Sequence, residues 1–191
     1  MKKILLIASM AFVAVAGFAQ PKFAHVNFNE LVMLSPEADA AREAIAASQK
    51  EAQETFASMY EEYQTKAQQY QQKASTWTPA IKESKEKELG DIQQRLEEFN
   101  QTVQQELQQQ QNDLMQPIYT KAQEAVTTLA KAGNYVYVID QSQVLYFDPK
   151  QSTDLTPAAR KALGIPEGRT LESLQAELQA QAEAAQAQAA K

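Results

Sequence analysis

Residues 135–148 read YVYVIDQSQVLYFD, and this stretch decides the fold because its composition differs from that of the chain before it. Residues 37–132 are rich in Gln, Glu, Lys and Ala, which are strong helix formers. Residues 135–140 and 144–147 are instead mostly β-branched and aromatic, with apolar side chains on both faces of each predicted strand. The pattern predicts a β-hairpin, both faces of which need to be covered.

Two other segments belong with this predicted hairpin. FAHVNF at residues 23–28 predicts a third strand, and residues 154–163 predict a short helix that Gly164 ends. Three strands cannot bury both faces with their own residues, so we expect sister chains to cover the second face. The segments 20–36 and 130–165 would then form a small oligomerisation body. Its candidate contact residues are Phe23, Val26, Phe28, Val136, Val138, Ile139, Leu145 and Phe147.

Residues 37–129 predict a long antiparallel helical hairpin that projects from this body as an arm. Ser35-Pro36 and Thr78-Pro79 each place a hydroxyl cap before a proline, which predicts two helix starts. The surface is polar over most of its length, so the helices cannot lie in a compact core. Pro117 predicts a kink in the second helix. Coiled-coil spacing is seen for Phe56, Tyr63, Tyr70 and Trp77, and then for Leu89, Ile92, Leu96, Phe99 and Val103.

The aromatic side chains of the arm permit two interpretations. We favour the first, in which they pack the two helices against each other. In the second, some of them contact a client, and Tyr70, Trp77 and Ile81 are the candidates because they lie at the predicted arm tip.

The first 19 residues predict a cleavable signal peptide. Lys2 and Lys3 precede an apolar run over residues 4–16, and Ala19 is a small residue at the predicted cleavage site. An N-terminal membrane anchor is the alternative. After residue 19, no apolar run approaches the roughly 20 residues that a spanning helix needs, so we do not expect an integral membrane protein.

The charge and the cysteine content exclude several classes of function. Without Lys2 and Lys3, 16 basic and 24 acidic residues remain, a net charge of −8. Such a chain lacks the basic footprint that nucleic acid binding requires. The sequence has no Cys and therefore cannot form disulfides.

No residue pattern in the sequence points to catalysis. His25 is the only His, and a single chain offers only carboxylates as further metal ligands, so we expect a structural or surface role for it. No nucleotide-binding, zinc-protease or nucleophile motif is present. We therefore predict no enzymatic activity, no catalytic residues, no metal and no cofactor.

The order of these features resembles the Skp/OmpH family of periplasmic chaperones. The resemblance is specific at residues 23–32, FAHVNFNELV, and at 114–163, which include GNYVYVIDQSQVLYFDP and DLTPAARKALGI. It implies an α+β fold and a jellyfish-like homotrimer with a β body and helical arms around a cavity. It also implies a periplasmic, ATP-independent holdase for unfolded outer-membrane β-barrel proteins.

Two features depart from the family pattern. This chain is acidic, whereas well-known members are basic, so we do not extend lipopolysaccharide binding to it. Residues 166–191 continue past the family pattern, either as a frayed solvated tail or as a helix that docks on the body or an arm. A structural coiled-coil protein of the envelope that binds no unfolded client remains the alternative function. The break at Thr78-Pro79 favours the chaperone, because one continuous rod would suit a spacer better.

Overall fold

A computed structural model of the protein describes residues 21–189 and shows an α+β fold with long helices and a small sheet. The predicted signal peptide, residues 1–19, lies outside the described residues. The strands are β1 (Lys22–Val26), β2 (Tyr135–Asp140) and β3 (Ser152–Asp154). The helices are α1 (Phe28–Met33), α2 (Pro36–Lys73), α3 (Pro79–Gly133), α4 (Thr156–Ala162) and α5 (Leu171–Ala189).

The sheet has the order β2-β1-β3, and both outer strands run parallel to β1. His25 in the central strand lies opposite Ile139 of β2 and Asp154 of β3. Parallel neighbours cannot be joined by a tight turn and need a crossover connection. In this chain the crossover between β1 and β2 is the pair of long helices, so both ends of the arm are fixed in one sheet.

The predicted hairpin is wrong, because residues 144–147 form no strand. A 3₁₀ turn at Gln141–Gln143 follows β2, and the Asp140 side chain caps it by accepting from the Ser142 amide at 3.1 Å. The third strand is Ser152–Asp154, which pairs with the other edge of β1. The apolar character of 144–147 therefore does not come from sheet pairing within the chain.

The predicted strand at 23–28 extends two residues too far at its C-terminal end. β1 ends at Val26, and the Asn27 side chain accepts a hydrogen bond from the Glu30 amide at 3.1 Å. This cap begins α1 at Phe28. Phe28 is therefore a helical residue whose ring centroid lies 6.3 Å from that of Tyr119.

The arm is the predicted antiparallel helical hairpin. Ser35 Oγ accepts from the Ala38 amide at 3.2 Å, and Thr78 Oγ1 accepts from the Ile81 amide at 3.4 Å, so both predicted caps are confirmed. α2 and α3 have 38 and 55 residues, which corresponds to lengths of about 57 and 82 Å at 1.5 Å per residue. α3 continues through Pro117 without interruption, and the kink there stays a prediction.

The hydrophobic core lies where the arm meets the sheet. It joins α1, the first turns of α2, the last turns of α3, and α4. Leu31 and Leu34 are fully buried there, and Ala38, Ala41 and Ala122 allow close approach of the helices. Leu174 of α5 is also buried in this core, so the first turns of the C-terminal segment form a docked helix and not a frayed tail.

The core position of Leu31 gives a test of this packing. Leu31→Ala removes a fully buried side chain and leaves a cavity, so it should lower the free energy of unfolding by about 2–5 kcal/mol. Ile81→Ala is the matched control, because Ile81 is 44% exposed at the arm tip. Urea denaturation followed by circular dichroism measures both. Equal losses in the two variants would contradict the placement of the core.

Candidate functional site

The two faces of the small sheet are covered to different extents. On one face, Val26 is 2% exposed, and Val138 packs against the core formed by the chain's own helices. Val138 was predicted to contact sister chains, but in this structure it is half-buried within its own chain. This face is therefore covered largely by the arm root, by which we mean the first turns of α2 and the last turns of α3.

The other face remains open and apolar. The rings of Phe23 and Tyr137 stack with centroids 6.1 Å apart, yet the two residues are 39% and 64% exposed. They border a shallow cavity of about 250 Å³, together with Ile139 and Phe147. An exposed apolar surface of this kind marks an interaction site.

The segment that leads to Phe147 adds two more exposed apolar side chains, because Tyr146 is 82% exposed and Leu145 is fully exposed. Val136, which is 54% exposed, alternates with Tyr137 along β2 and therefore lies on the side of the sheet that carries Val138. We call Phe23, Tyr137, Ile139, Leu145, Tyr146 and Phe147 the open face. Tyr137 and Tyr146 were absent from the predicted contact residues, although Tyr137 alternates with Ile139 along β2 and could have been found from that alternation.

His25 lies under the open face and joins β1 to β3. It is 7% exposed, its Nδ1 lies 2.8 Å from Ser152 Oγ, and its Nε2 lies 4.0 Å from Asp154 Oδ1. Its ring centroid is 4.4 Å from that of Phe147. These contacts hold the short third strand and the Phe147 loop against the central strand. Within residues 21–189, no group of three His, Cys, Asp or Glu side chains is arranged to hold a metal ion.

At the arm tip the structure brings two of the three predicted client residues together. The rings of Tyr70 and Trp77 meet edge to face with centroids 5.7 Å apart. Tyr70 Oη donates to the Glu86 carboxylate, and this hydrogen bond raises the pKa of the Tyr70 hydroxyl. Both rings are half-buried, whereas Ile81 is exposed, so the tip combines helix packing with available apolar surface.

The middle of the arm contains a groove that the sequence did not predict. It has a volume of about 410 Å³ and lies between small α2 side chains and larger α3 side chains. The sequence does contain a sign of this groove. The aromatic repeat that includes Phe56 stops there, since the position seven residues earlier is Gln49. The groove is lined by Ser48, Glu51, Ala52, Thr55, Phe99, Val103, Glu106, Leu107 and Gln110.

Charged pairs join α2 to α3 along the arm. Glu88 accepts hydrogen bonds from Lys66 of α2 and, at 2.8 Å, from Lys85. These bonds, that from Lys66 first, lower the pKa of the Glu88 carboxyl to about 2. At the arm root Lys121 donates to Glu37 and lowers the pKa of that carboxyl. Such pairs link the two helices along an arm in which few apolar side chains are buried.

The comparison with protein families decides which family has this architecture. A family model described as outer membrane protein (OmpH-like) matches residues 22–163, which run from β1 to the end of α4. The chain belongs to the OmpH-like family. The predicted family is therefore confirmed.

Two OmpH-like relatives agree with the match. The chain is 30% identical over 161 residues to chaperone protein Skp of Yersinia enterocolitica, an alignment that covers 82% of this chain and 95% of the relative. A crystal structure from Caulobacter crescentus CB15, described as a candidate outer membrane chaperone (OmpH-like), has a TM-score of 0.68 and 16% identity. The superposition covers 81% of this chain and 91% of that chain, and it confirms the fold.

The structure also bears on the membrane prediction for this OmpH-like chain. Over residues 21–189, no helix has both the length and the apolar composition needed to cross a membrane.

The pKa of Glu88 gives a pH-dependent test of the arm. The folded-state pKa of about 2 lies below the ordinary value of 4.5, so the contribution to stability is present above pH 4.5 and is lost as the pH falls towards 2. Glu88→Gln should therefore lower the melting temperature slightly at pH 7, since water screens a pair whose side chains are about one-third exposed, and the difference from the parent protein should shrink below pH 4.5. Glu83→Gln is the control, because Glu83 is an exposed carboxylate of the same helix. A difference that stays constant from pH 7 to pH 2 would contradict the assignment.

Proposed function

We propose that this protein is a periplasmic chaperone that holds unfolded outer-membrane β-barrel proteins and prevents their aggregation without using ATP. The observation that carries the proposal is an OmpH-like chain whose long two-helix arm leaves a body with an uncovered apolar face. The relative Skp is named a chaperone, and the described residues of this chain present no metal cluster for catalysis. A holdase needs exposed apolar surface and arms long enough to surround a client, and it needs no reactive groups.

Assembly through the open face is the first part of the proposal. Tyr137, Leu145 and Tyr146 expose most of their surface in the single chain, and covering them would release water from a large apolar area. We propose a homotrimer, the number that the resemblance to the Skp/OmpH family implies. Three arms that leave one body would then surround a shared cavity.

Client holding by the arms is the second part. A barrel precursor has short strands of alternating apolar residues, each of which offers only a weak binding contact. Exposed apolar residues spaced along the arm, such as Tyr60 and Ile81, suit many weak contacts, which together hold a client by avidity. The mid-arm groove offers a further apolar surface, through Phe99, Val103 and Leu107.

The acidic charge affects which partners the arms accept. A net charge of −8 for the chain without Lys2 and Lys3 repels anionic surfaces, so we do not propose lipopolysaccharide as a ligand. Client capture then depends on apolar contact more than on charge attraction, and it should depend little on salt concentration.

Aggregation suppression tests the client-binding part. A urea-unfolded outer-membrane barrel protein is diluted into buffer with and without the mature protein, and light scattering is followed. We expect suppression at a stoichiometric excess of chaperone. Unchanged scattering would favour the alternative of a structural coiled-coil envelope protein.

A tip variant tests the residues involved. Trp77→Ala should raise the chaperone concentration needed for half suppression about fivefold, the effect of losing ~1 kcal/mol of contact energy. Gln72→Ala, which changes an exposed polar residue near the tip, is the control and should have no effect. Equal activity of the two variants would restrict Tyr70 and Trp77 to helix packing.

A variant on the open face tests the assembly part. Tyr137→Asp would bury a carboxylate in the proposed interface, a cost of several kcal/mol that should dissociate the oligomer. Tyr60→Asp is the matched control, because Tyr60 is an aromatic residue of the arm that is 47% exposed. Light-scattering mass during size exclusion measures both. An oligomer that survives Tyr137→Asp would place the interface elsewhere.

A further inference from the structure

The C-terminal segment is anchored at the root of the arm although it lies outside the family match, which ends at residue 163. Ile165 is 5% exposed and Leu174 is 4% exposed, and both belong to the core that includes Ala38 and Ala41 of α2. Leu171 packs against the same core. The segment thus contributes apolar residues where α2 begins.

Two arginines add hydrogen bonds and ion pairs to this apolar contact. Arg160 donates to the carbonyl oxygens of Pro166 at 2.7 Å and Arg169 at 2.6 Å, and it also pairs with Glu30 of α1. Arg169 in turn donates to the Asp39 carboxylate of α2 at 2.6 Å. The side chains of Arg160 and Arg169 are 15% and 21% exposed, so water screens these pairs less than surface pairs.

Asp39 connects the start of the arm to the C-terminal segment and, through Arg42, to α1. It lies in the first turn of α2 and also pairs with Arg42, whose Nη1 donates to the Met33 carbonyl of α1 at 3.1 Å. One carboxylate therefore links the end of α1, the start of α2 and the C-terminal segment. A movement of α2 away from the C-terminal segment would have to break the Arg169–Asp39 pair.

Beyond this anchor, α5 separates from the arm. A cleft of about 520 Å³ lies between them, with Ile45 and Ala46 of α2 on one side and Leu178 of α5, 39% exposed, on the other. From residue 179 to residue 187 the helix is exposed. The arm therefore has room to move towards α5 until Leu178 meets Ile45, whereas movement away from α5 breaks the Arg169–Asp39 pair.

We propose that residues 165–178 form a strap that limits the movement of the arm relative to the sheet. The strap opposes outward rotation through Arg169 and Leu174, and it permits inward rotation until the cleft closes. In the proposed chaperone this would set how wide the arms open, a consequence that rests on the proposed function. The restraint itself is a property of the free chain and can be measured without a client.

The experiment measures the arm position in the full mature chain. The sequence has no Cys, so Gln72→Cys at the arm tip and Lys161→Cys on α4 provide two exposed sites for spin labels. Doubly labelled chains are mixed with excess unlabelled chains. Pulsed electron–electron double resonance then reports the distance between the two labels within one chain. The variants are Arg169→Glu and Leu174→Asp, and the control is Ala180→Asp, which places a carboxylate on an exposed position of α5.

Hydrogen exchange on the same variants shows whether the strap has detached. We expect amides of residues 171–178 to exchange about tenfold faster in Arg169→Glu and Leu174→Asp than in the parent, as for a locally opened helix. The distance distribution should broaden in both variants and remain unchanged in Ala180→Asp. Arg169→Glu acts outside the apolar core, so it remains informative if Leu174→Asp fails to fold.

Two results would overturn the proposal. One is fast exchange of residues 171–178 in the parent protein, since the segment would then not be docked. The other is an unchanged distance distribution in a variant whose α5 has lost protection. Because no client takes part, neither result depends on whether the protein is a chaperone.

Discussion

The parallel pairing of β1 with β2 determines how the arm and the body of this protein are connected. Antiparallel neighbours could have been joined by a tight turn, but parallel neighbours need a long crossover, and here two long helices supply it. Because both ends of the arm return to adjacent strands, the sheet and the core beside it hold the base of the arm in place. Leu31 and Leu34 bury that junction, and Asp39 and Lys121 add polar links.

In this chain the helices lie against only one face of the three-stranded sheet. The face with Val26 and Val138 is covered by the chain's own helices, and the face with Phe23 and Tyr137 is not. The proposed assembly follows from this difference between the two faces. Covering an apolar surface that is exposed in the single chain with a second copy lowers the free energy. The proposed client contacts along the arm have a similar origin. A projecting pair of helices has little core, so some of its aromatic residues stay exposed.

The features that depend on local chemistry were predictable from the sequence, and those that depend on distant pairing were not. Ser35-Pro36 and Thr78-Pro79 define both helix starts through hydrogen bonds to amides three residues on, so the arm could be located. The coiled-coil spacing likewise located Ile92 and Leu96 in the seam. The strand at Ser152–Asp154 was missed because its residues are polar and its partner lies far away in sequence. The strand prediction for residues 144–147 fails because apolar, β-forming residues such as Leu145 and Tyr146 here lie exposed and pair with no strand.

Native mass spectrometry of the mature protein, mixed with one unfolded outer-membrane barrel protein, reports assembly and client binding in one spectrum. We expect a complex whose mass equals three chains and one client, with the free trimer as the other chaperone species. Spectra that contain only free chaperone and free or aggregated client would show that the protein does not hold clients in this way.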